Sequence, residues 1–278
     1  MSKKIILLAG PTASGKSKLA IQLAKKINGE IINADSMQIY KEFTVLSSRP
    51  IDREINNPKH HLYGIISVKK NFSAGDWLKL TKSKVKLCHS KKKLPIIVGG
   101  TGLYFNMITR GLSKIPSIDL STRNKVRQLF KKLGYKNFYQ KLINLDPKVK
   151  NEILPNDSQR AQRAFEVMIK TKKSLFDWIE NTKSDFVNFE IKKIFIEVPR
   201  DMLLKNIFKR TELMFKNGCI QEVQKFNLLK LNKSLSANKL IGVQEINRYL
   251  NGLISLDECK EHVNIKTRQY AKRQNTWA

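Results

Sequence analysis

Long apolar runs are missing. The longest unbroken stretches, Ile5–Ala9 and Pro95–Val98, have the length of strands, far short of the ~18 residues a membrane-spanning helix needs. Met1-Ser2-Lys3-Lys4-Ile5 runs directly into a core-strand pattern and leaves no room for a signal peptide. The expectation is therefore a cytoplasmic chain, neither secreted nor membrane-spanning. Cysteine is scarce: Cys88, Cys219 and Cys259 lie far apart, with no CxxC and no Cys/His spacing of a zinc site. They read as reduced thiols. Neither repeats nor low-complexity linkers occur. Acidic residues are few, 23 against 53 Lys and Arg, which leaves a formal charge of +30. A field of that sign favours polyanionic partners, nucleic acid foremost, although a general lysine bias would raise the same number.

What is present suits a globular protein. Hydrophobic residues make up 41% of the 278, too many for a disordered chain. The length suggests one large domain, or one carrying a smaller one. Such a chain buries roughly three quarters of its unfolded surface, so its core needs no disulfide or metal staple.

The first hundred residues alternate strand and helix patterns. Ile5–Ala9 is a continuous apolar run, as in a parallel strand covered on both faces. Leu19, Ala20, Leu23, Ala24 and Ile27 then fall on one helical face, and Asn28-Gly29 ends that helix. Glu30–Ala34 reads as the next strand, Ala74–Ser90 as a helix and Pro95–Val98 as a third strand. Strands separated by helices imply an open parallel sheet with right-handed crossovers. After Gly111 the strand signals vanish and basic helical segments take over: Thr122–Leu133, Tyr135–Asn144 and Asp157–Lys170. Lys193–Val198 looks like a return to the sheet, followed by helices over Asp201–Lys216 and Ser255–Gln274. The expected architecture is α/β: a parallel sheet of the P-loop type flanked by helices, with an all-helical insertion. Residues 1–112 and 190–278 form the core in this reading, and 113–189 the basic insertion.

Gly10-Pro11-Thr12-Ala13-Ser14-Gly15-Lys16-Ser17 fits G-x4-G-K-[ST] and sits between an apolar strand and an amphipathic helix. Glycines let the backbone N–H groups curl toward an anion, and the helix N-terminus adds partial positive charge. Lys16 supplies a full charge, and the Ser17 hydroxyl suits Mg²⁺. A phosphate or diphosphate is expected here. The aspartate that commonly ends a later strand in ATPases and kinases is absent, because the third strand runs instead into Gly99-Gly100-Thr101-Gly102. The carboxylate belongs to the second strand, as Asp35 in Asp35-Ser36-Met37-Gln38-Ile39-Tyr40. At the carboxyl end of a parallel strand, Asp35 should project into the ligand crevice. Helix capping or a water-mediated metal contact would also suit Asp35, and capping of the next helix would suit Thr101.

Gly10–Ser17, Asp35–Tyr40, His60-His61-Leu62, Gly99–Tyr104, Asn156–Val167, Ile241-Gly242 and Thr267–Gln274 together resemble the tRNA dimethylallyltransferases, in family order and over nearly the whole chain. Only the phosphate loop is specific alone; the ordered set is highly specific. The resemblance implies transfer of a dimethylallyl group from dimethylallyl diphosphate to N6 of the adenosine 3′ to the anticodon, with Mg²⁺ and release of diphosphate. It makes Asp35 the base that accepts the N6 proton, and Thr101 a contact to the reacting region. Lys16 and Arg210 become ligands of the diphosphate; without it, Arg210 would read as a solvated helix charge. Ser36, Met37 and Gln38 would then line the entrance and read the extruded base. Contacts to the tRNA anticodon stem-loop are assigned to Gln159, Arg160, Ala161, Gln162 and Arg163 on one helix and to Arg123 on an earlier one. Arg268 and Lys272, four residues apart, are read as backbone contacts. Arg160 and Arg163 could equally pair with Asp157 and Glu166, and a solvated face is the alternative for Arg268 and Lys272. Paired His60 and His61 read as packing or loop hydrogen bonding, and Trp77 and Trp178 as core anchors.

The chain departs from the family pattern at Leu46-Ser47-Ser48-Arg49-Pro50, where a Gly-Thr stretch ending in Lys-Pro is usual, and at Val243-Gln244-Glu245. It also stops at Trp277-Ala278, without the zinc-finger tail of some eukaryotic relatives, which suits a compact bacterial-type enzyme. These departures bear on peripheral tRNA contacts more than on the central chemistry. A monomer is expected, since no heptad or interface stripe is sustained. Three rival readings remain at this point: a P-loop kinase of a nucleoside or metabolite, a non-catalytic RNA-binding protein, and a prenyltransferase of free adenine nucleotides. The first leaves the basic helices and the Asp35 segment unexplained. Intact Lys16, Ser17, Asp35 and Thr101 oppose the second, and the large basic insertion opposes the third.

Overall fold

The computed structural model describes residues 3–50, 56–232 and 235–277; Met1, Ser2 and Ala278, at which the expected core begins and ends, lie outside the described residues. The chain divides into two compact units, one running to Ile108 and resuming at Asn188, the other spanning Thr109–Val187.

The first unit is built on β1 (Lys3–Ala9), α1 (Lys16–Lys26), β2 (Gly29–Ala34), β3 (His60–His61), α2 (Ala74–Ser90), β4 (Leu94–Gly99), α3 (Gly102–Thr109) and β5 (Phe189–Phe195). The strands form one parallel sheet in the order β3-β2-β4-β1-β5. Because β4 lies between β1 and β2, with Ala9 and Ala34 both in register with Gly99, the loops leaving these three strands are neighbours. The apolar runs explain the order. β2 is buried throughout, and Ile5, Leu8, Ile32, Ile96 and Ile97 are fully buried, each stabilising by about 1.5–3 kcal/mol through removal of its side chain from water. Trp77 is the expected anchor: it is 0% exposed, stacks on Tyr104 and donates its indole N–H to the Asn33 carbonyl at 2.7 Å. Helix α2 starts on a capping box in which Ser73 and Asp76 satisfy each other's backbone N–H.

Three expectations are corrected here. His60-His61 is a buried edge strand, not a loop. His61 Nε2 lies 2.6 Å from Glu30 Oε2, a hydrogen bond that secures the strand to β2. Burial outweighs that contact and holds the His61 pKa below its ordinary value. The last strand starts at Phe189 rather than Lys193, because this edge strand carries exposed Glu190, Lys192 and Lys193 among its apolar residues and so shows no continuous apolar run. Leu19 is 40% exposed and drops out of the expected face of α1, while Ala20 and Ala24 are buried and Leu23 and Ile27 pack against the core.

After β5 come α8 (Arg200–Lys216), α9 (Cys219–Leu228), a 3₁₀ turn (Ser236–Lys239), α10 (Val243–Leu250) and α11 (Leu256–Asn275). The second unit contains α4 (Leu120–Leu145), α5 (Val149–Glu152), α6 (Ser158–Thr171) and α7 (Leu175–Glu180), with no strand among its described residues. Helix α4 kinks at Gly134, so the two expected helices meet end to end. Its core gathers Val126, Phe138, Leu142, Val149, Ile153, Ala161, Ala164 and Phe165. Trp178 is half-buried there, against Thr171 and under the Lys173 ammonium, and is not a core anchor.

Candidate active site

The loop after β1 has the shape the motif requires. Gly15 caps α1 at φ 83°, a left-handed conformation in which a side chain is strained, and Ala13 also sits at positive φ, 64°. Such a turn holds only if it is gripped from outside. Asn206 Nδ2 donates to the Ala13 carbonyl at 3.2 Å, and Arg210 Nη1 donates to Thr12 Oγ1 at 2.6 Å. Both come from α8, one helical turn apart, so the helix presents one polar face to the loop. Inside the loop, Ser14 Oγ is buried with no hydrogen-bond partner among the described residues. An orphaned hydroxyl just before the N-terminus of α1 fits an oxyanion.

Lys16 folds back to donate to the Pro11 carbonyl at 3.1 Å. Burial lowers its pKa to about 8; Asp35 opposes the fall and Arg210 adds to it. Burial also lowers the Arg210 pKa, again against the Asp35 charge. Two cations and one carboxylate thus share one site.

Asp35 follows β2 directly. Its Oδ1 accepts the Met37 N–H at 2.8 Å, and its own N–H goes to Asn33 Oδ1 at 2.8 Å. This turn spends one carboxylate oxygen on the backbone. Thr101 meets the start of α3 through its carbonyl, which accepts the Tyr104 N–H at 2.9 Å. Its Oγ1 accepts the Ser36 N–H at 3.1 Å and bonds the Tyr270 hydroxyl, tying the end of β4 to the loop after β2. Burial, with Asp35 nearby, pushes the Tyr270 phenol upward, so it stays protonated. Gln38 spends its amide on the Ser47 and Ser48 carbonyls.

Of this neighbourhood, Thr12, Asp35, Ser36, Met37, Arg210 and Tyr270 line a cleft of about 240 Å³. Leu46, Met214, Leu240 and Ile241 give it an apolar side. The divergent segment contributes Leu46 and Ser47 to this wall and is held by Glu222, whose carboxylate accepts the N–H groups of Thr44, Val45 and Leu46 at 2.6, 2.9 and 2.8 Å. The oxygen donors near the loop, the exposed Ser17 hydroxyl and the Asp35 carboxylate, are of the hard kind that Mg²⁺ takes. They are too few for a protein cage, so such an ion would be shared with phosphate oxygens. Among the described residues, the one group of three potential metal ligands is Glu30, His61 and Cys88, far from the loop along β2. The 2.6 Å His61–Glu30 contact is a hydrogen bond, closer than the roughly 3.3 Å between two donors on a tetrahedral ion.

Other candidates lie in the helical unit or on α11. Arg160, 73% exposed, pairs with Asp157, and the half-buried Arg163 with Glu166. The first, an exposed pair, is worth little and exchanges readily for another anion; in the second, Glu166 is buried. Gln159 is exposed and Gln162 half-buried. Ala161 is corrected: at 2% exposure it faces the helical core and leaves no side chain for a ligand. Arg123 is half-buried, its Nε without a partner among the described residues. Arg268 and Lys272 are exposed, the former paired with Glu261. The residues missed are Asn206, Ser47 and Gln274. The i, i+4 spacing of Asn206 and Arg210 could have revealed the first; the rest depend on long-range contacts.

Several known proteins are similar to this chain over nearly its whole length. A family model described as IPP transferase matches residues 38–278. A tRNA dimethylallyltransferase of Pelagibacter ubique is 54% identical over 275 residues, 99% of this chain and 88% of that protein. One from Rickettsia massiliae is 42% identical over 276 residues, 99% of this chain and 76% of its own length. The tRNA isopentenylpyrophosphate transferase of Bacillus halodurans superposes with a TM-score of 0.70 at 30% identity, covering 99% of this chain and 86% of that one. A eukaryotic dimethylallyltransferase acting on tRNA superposes at 0.84 and 28% identity, with 99% and 70% covered.

Proposed function

The chain belongs to the IPP transferase family, and on that premise we propose that it transfers a dimethylallyl group from dimethylallyl diphosphate to N6 of the adenosine 3′ to the anticodon of a tRNA. The observation that carries the reading is that Asp35 and Arg210 line one cleft at the glycine loop, with the buried Lys16 ammonium close enough to feel both charges.

In the reaction the C1–O bond of the allylic diphosphate breaks and a C1–N6 bond forms. The electron pair of the broken bond leaves with the diphosphate, and the N6 proton goes to the Asp35 carboxylate. Adenine N6 is a poor nucleophile because its lone pair is delocalised into the ring, so a base at the moment of bonding is worth typically 10²–10⁴-fold. Lys16, Arg210 and the N–H groups of the loop bind the charge that develops on the leaving group, in a site already arranged before reaction. Mg²⁺, held by Ser17 together with the diphosphate oxygens, would neutralise further negative charge. Thr101 fixes Ser36 and so orients the loop carrying Asp35. Leu46, Met214, Leu240 and Ile241 supply apolar surface for the prenyl chain. The target base must leave its stack to reach the cleft, with Ser36 and Met37 at its entrance.

The helical unit supports a tRNA role through Arg123, Gln159, Arg160, Gln162 and Arg163, and Arg268 and Lys272 add charge on α11. The +30 balance would speed capture of the polyanion. Single-turnover reaction with labelled dimethylallyl diphosphate tests the proposal: label in anticodon-loop adenosine supports it, and ATP turnover independent of any allylic diphosphate speaks for a kinase.

A further inference from the structure

Gln274, in the last turn of α11, is 2% exposed. Its Oε1 accepts the Thr12 N–H at 2.7 Å and its Nε2 donates to the Gly100 carbonyl at 2.9 Å. One side-chain amide therefore bridges the turn after β1 and the turn after β4, across 262 and 174 residues of sequence. The fit is close: a Cβ on Gly100 would stand 1.9 Å from Gln274 Nε2, so the glycine leaves room for this amide. Trp277 closes the same end, lying against Gly102 and stacked on Phe105 at 5.4 Å.

We infer that Gln274 is a positioning residue for the transfer reaction, a clamp that fixes the diphosphate side of the cleft against the base side. The inference rests on the reading that Gly10–Ser17 cradles the diphosphate. Thr12, held through its N–H by Gln274, carries on its hydroxyl the Arg210 guanidinium. Thr101, next to the clamped Gly100, carries the Ser36 N–H beside Asp35. Movement of one turn relative to the other would separate the cationic groups from the carboxylate. The clamp also withdraws the Thr12 N–H from the anion, leaving the later loop N–H groups and Ser14 Oγ to meet it. A side chain that merely filled space would need neither polar end.

Two variants of similar shape separate these roles. Gln274→Met fills the space without either hydrogen bond. It should lower the single-turnover rate roughly 10- to 100-fold and raise the KM for dimethylallyl diphosphate, with tRNA affinity within about twofold of wild type. Gln274→Glu keeps an acceptor for Thr12, but when ionised sets an oxygen against the Gly100 carbonyl. Protonation restores the donor, so its rate relative to wild type should climb as pH falls. A Met variant within about twofold of the wild-type rate, or a Glu variant whose ratio to wild type is flat with pH, overturns the clamp. Wild-type protein that transfers no prenyl group in the same assay overturns the functional reading itself, and the clamp with it.

Discussion

Lys16 offers the sharpest test of the electrostatics. In the free protein its ammonium is held against the Pro11 carbonyl, and burial sets its pKa at about 8. A diphosphate binds the protonated lysine, and its charge raises that pKa in the complex. Affinity should therefore fall by the factor 1 + 10^(pH − 8): about twofold at about pH 8 and about 30-fold at about pH 9.5, approaching one proton taken up per molecule bound. Titration calorimetry of dimethylallyl diphosphate in buffers of different ionisation heat measures both quantities. Lys16→Arg keeps its charge throughout and should give a nearly flat profile. Constant wild-type affinity across this range, without proton uptake, would refute the argument. The effect on folding has the opposite sense. Between about 8 and the ordinary 10.5 the unfolded chain holds a proton that the folded chain has shed, so Lys16 makes stability rise with pH across that window.

Three other outcomes follow from the site. Asp35→Asn should slow the chemical step roughly 10²- to 10⁴-fold in single-turnover assays while sparing tRNA binding. Because Asp35 supports the charge on Lys16, the same variant should move the Lys16 titration below about 8, and an unmoved midpoint argues against their proximity. Arg160→Ala with Arg163→Ala should weaken tRNA binding and reduce its salt slope by about one for each phosphate left without its arginine; an unaltered slope places the RNA elsewhere. Glu222→Gln leaves one oxygen for three N–H groups, so denaturant unfolding should register a loss of about 1–3 kcal/mol. An unchanged midpoint would mean the segment at Thr44–Leu46 is held by other interactions.

The sheet was readable in the sequence wherever its strands are covered on both faces. Ile5–Ala9 and Pro95–Val98 are continuous apolar runs because burial on two sides leaves no polar positions. β5 and His60-His61 lie at the edges, where alternation or extreme shortness removes that signal. The glycine loop was legible because a positive-φ glycine, a lysine and a hydroxyl fall at fixed offsets between strand and helix. Asp35 was legible because it directly ends a strand. Gln274 and Glu222 were not: each acts on backbone more than a hundred residues away, and neither shapes its own helix in a way the local pattern records. Ala161 shows the opposite limit. A motif matched residue by residue includes positions whose side chains face the core.

The central claim is that one cleft joins a cation-bound allylic diphosphate to an extruded adenosine whose N6 proton Asp35 accepts. The direct measurement is incubation of wild-type and Asp35→Asn protein with labelled dimethylallyl diphosphate, Mg²⁺ and unmodified tRNA, followed by digestion and nucleoside analysis. The account predicts label on N6 of the adenosine 3′ to the anticodon with wild type, and almost none with the variant despite retained tRNA binding. Label on another nucleoside, label on free AMP in preference to an anticodon stem-loop, or equal labelling by the two proteins would contradict it.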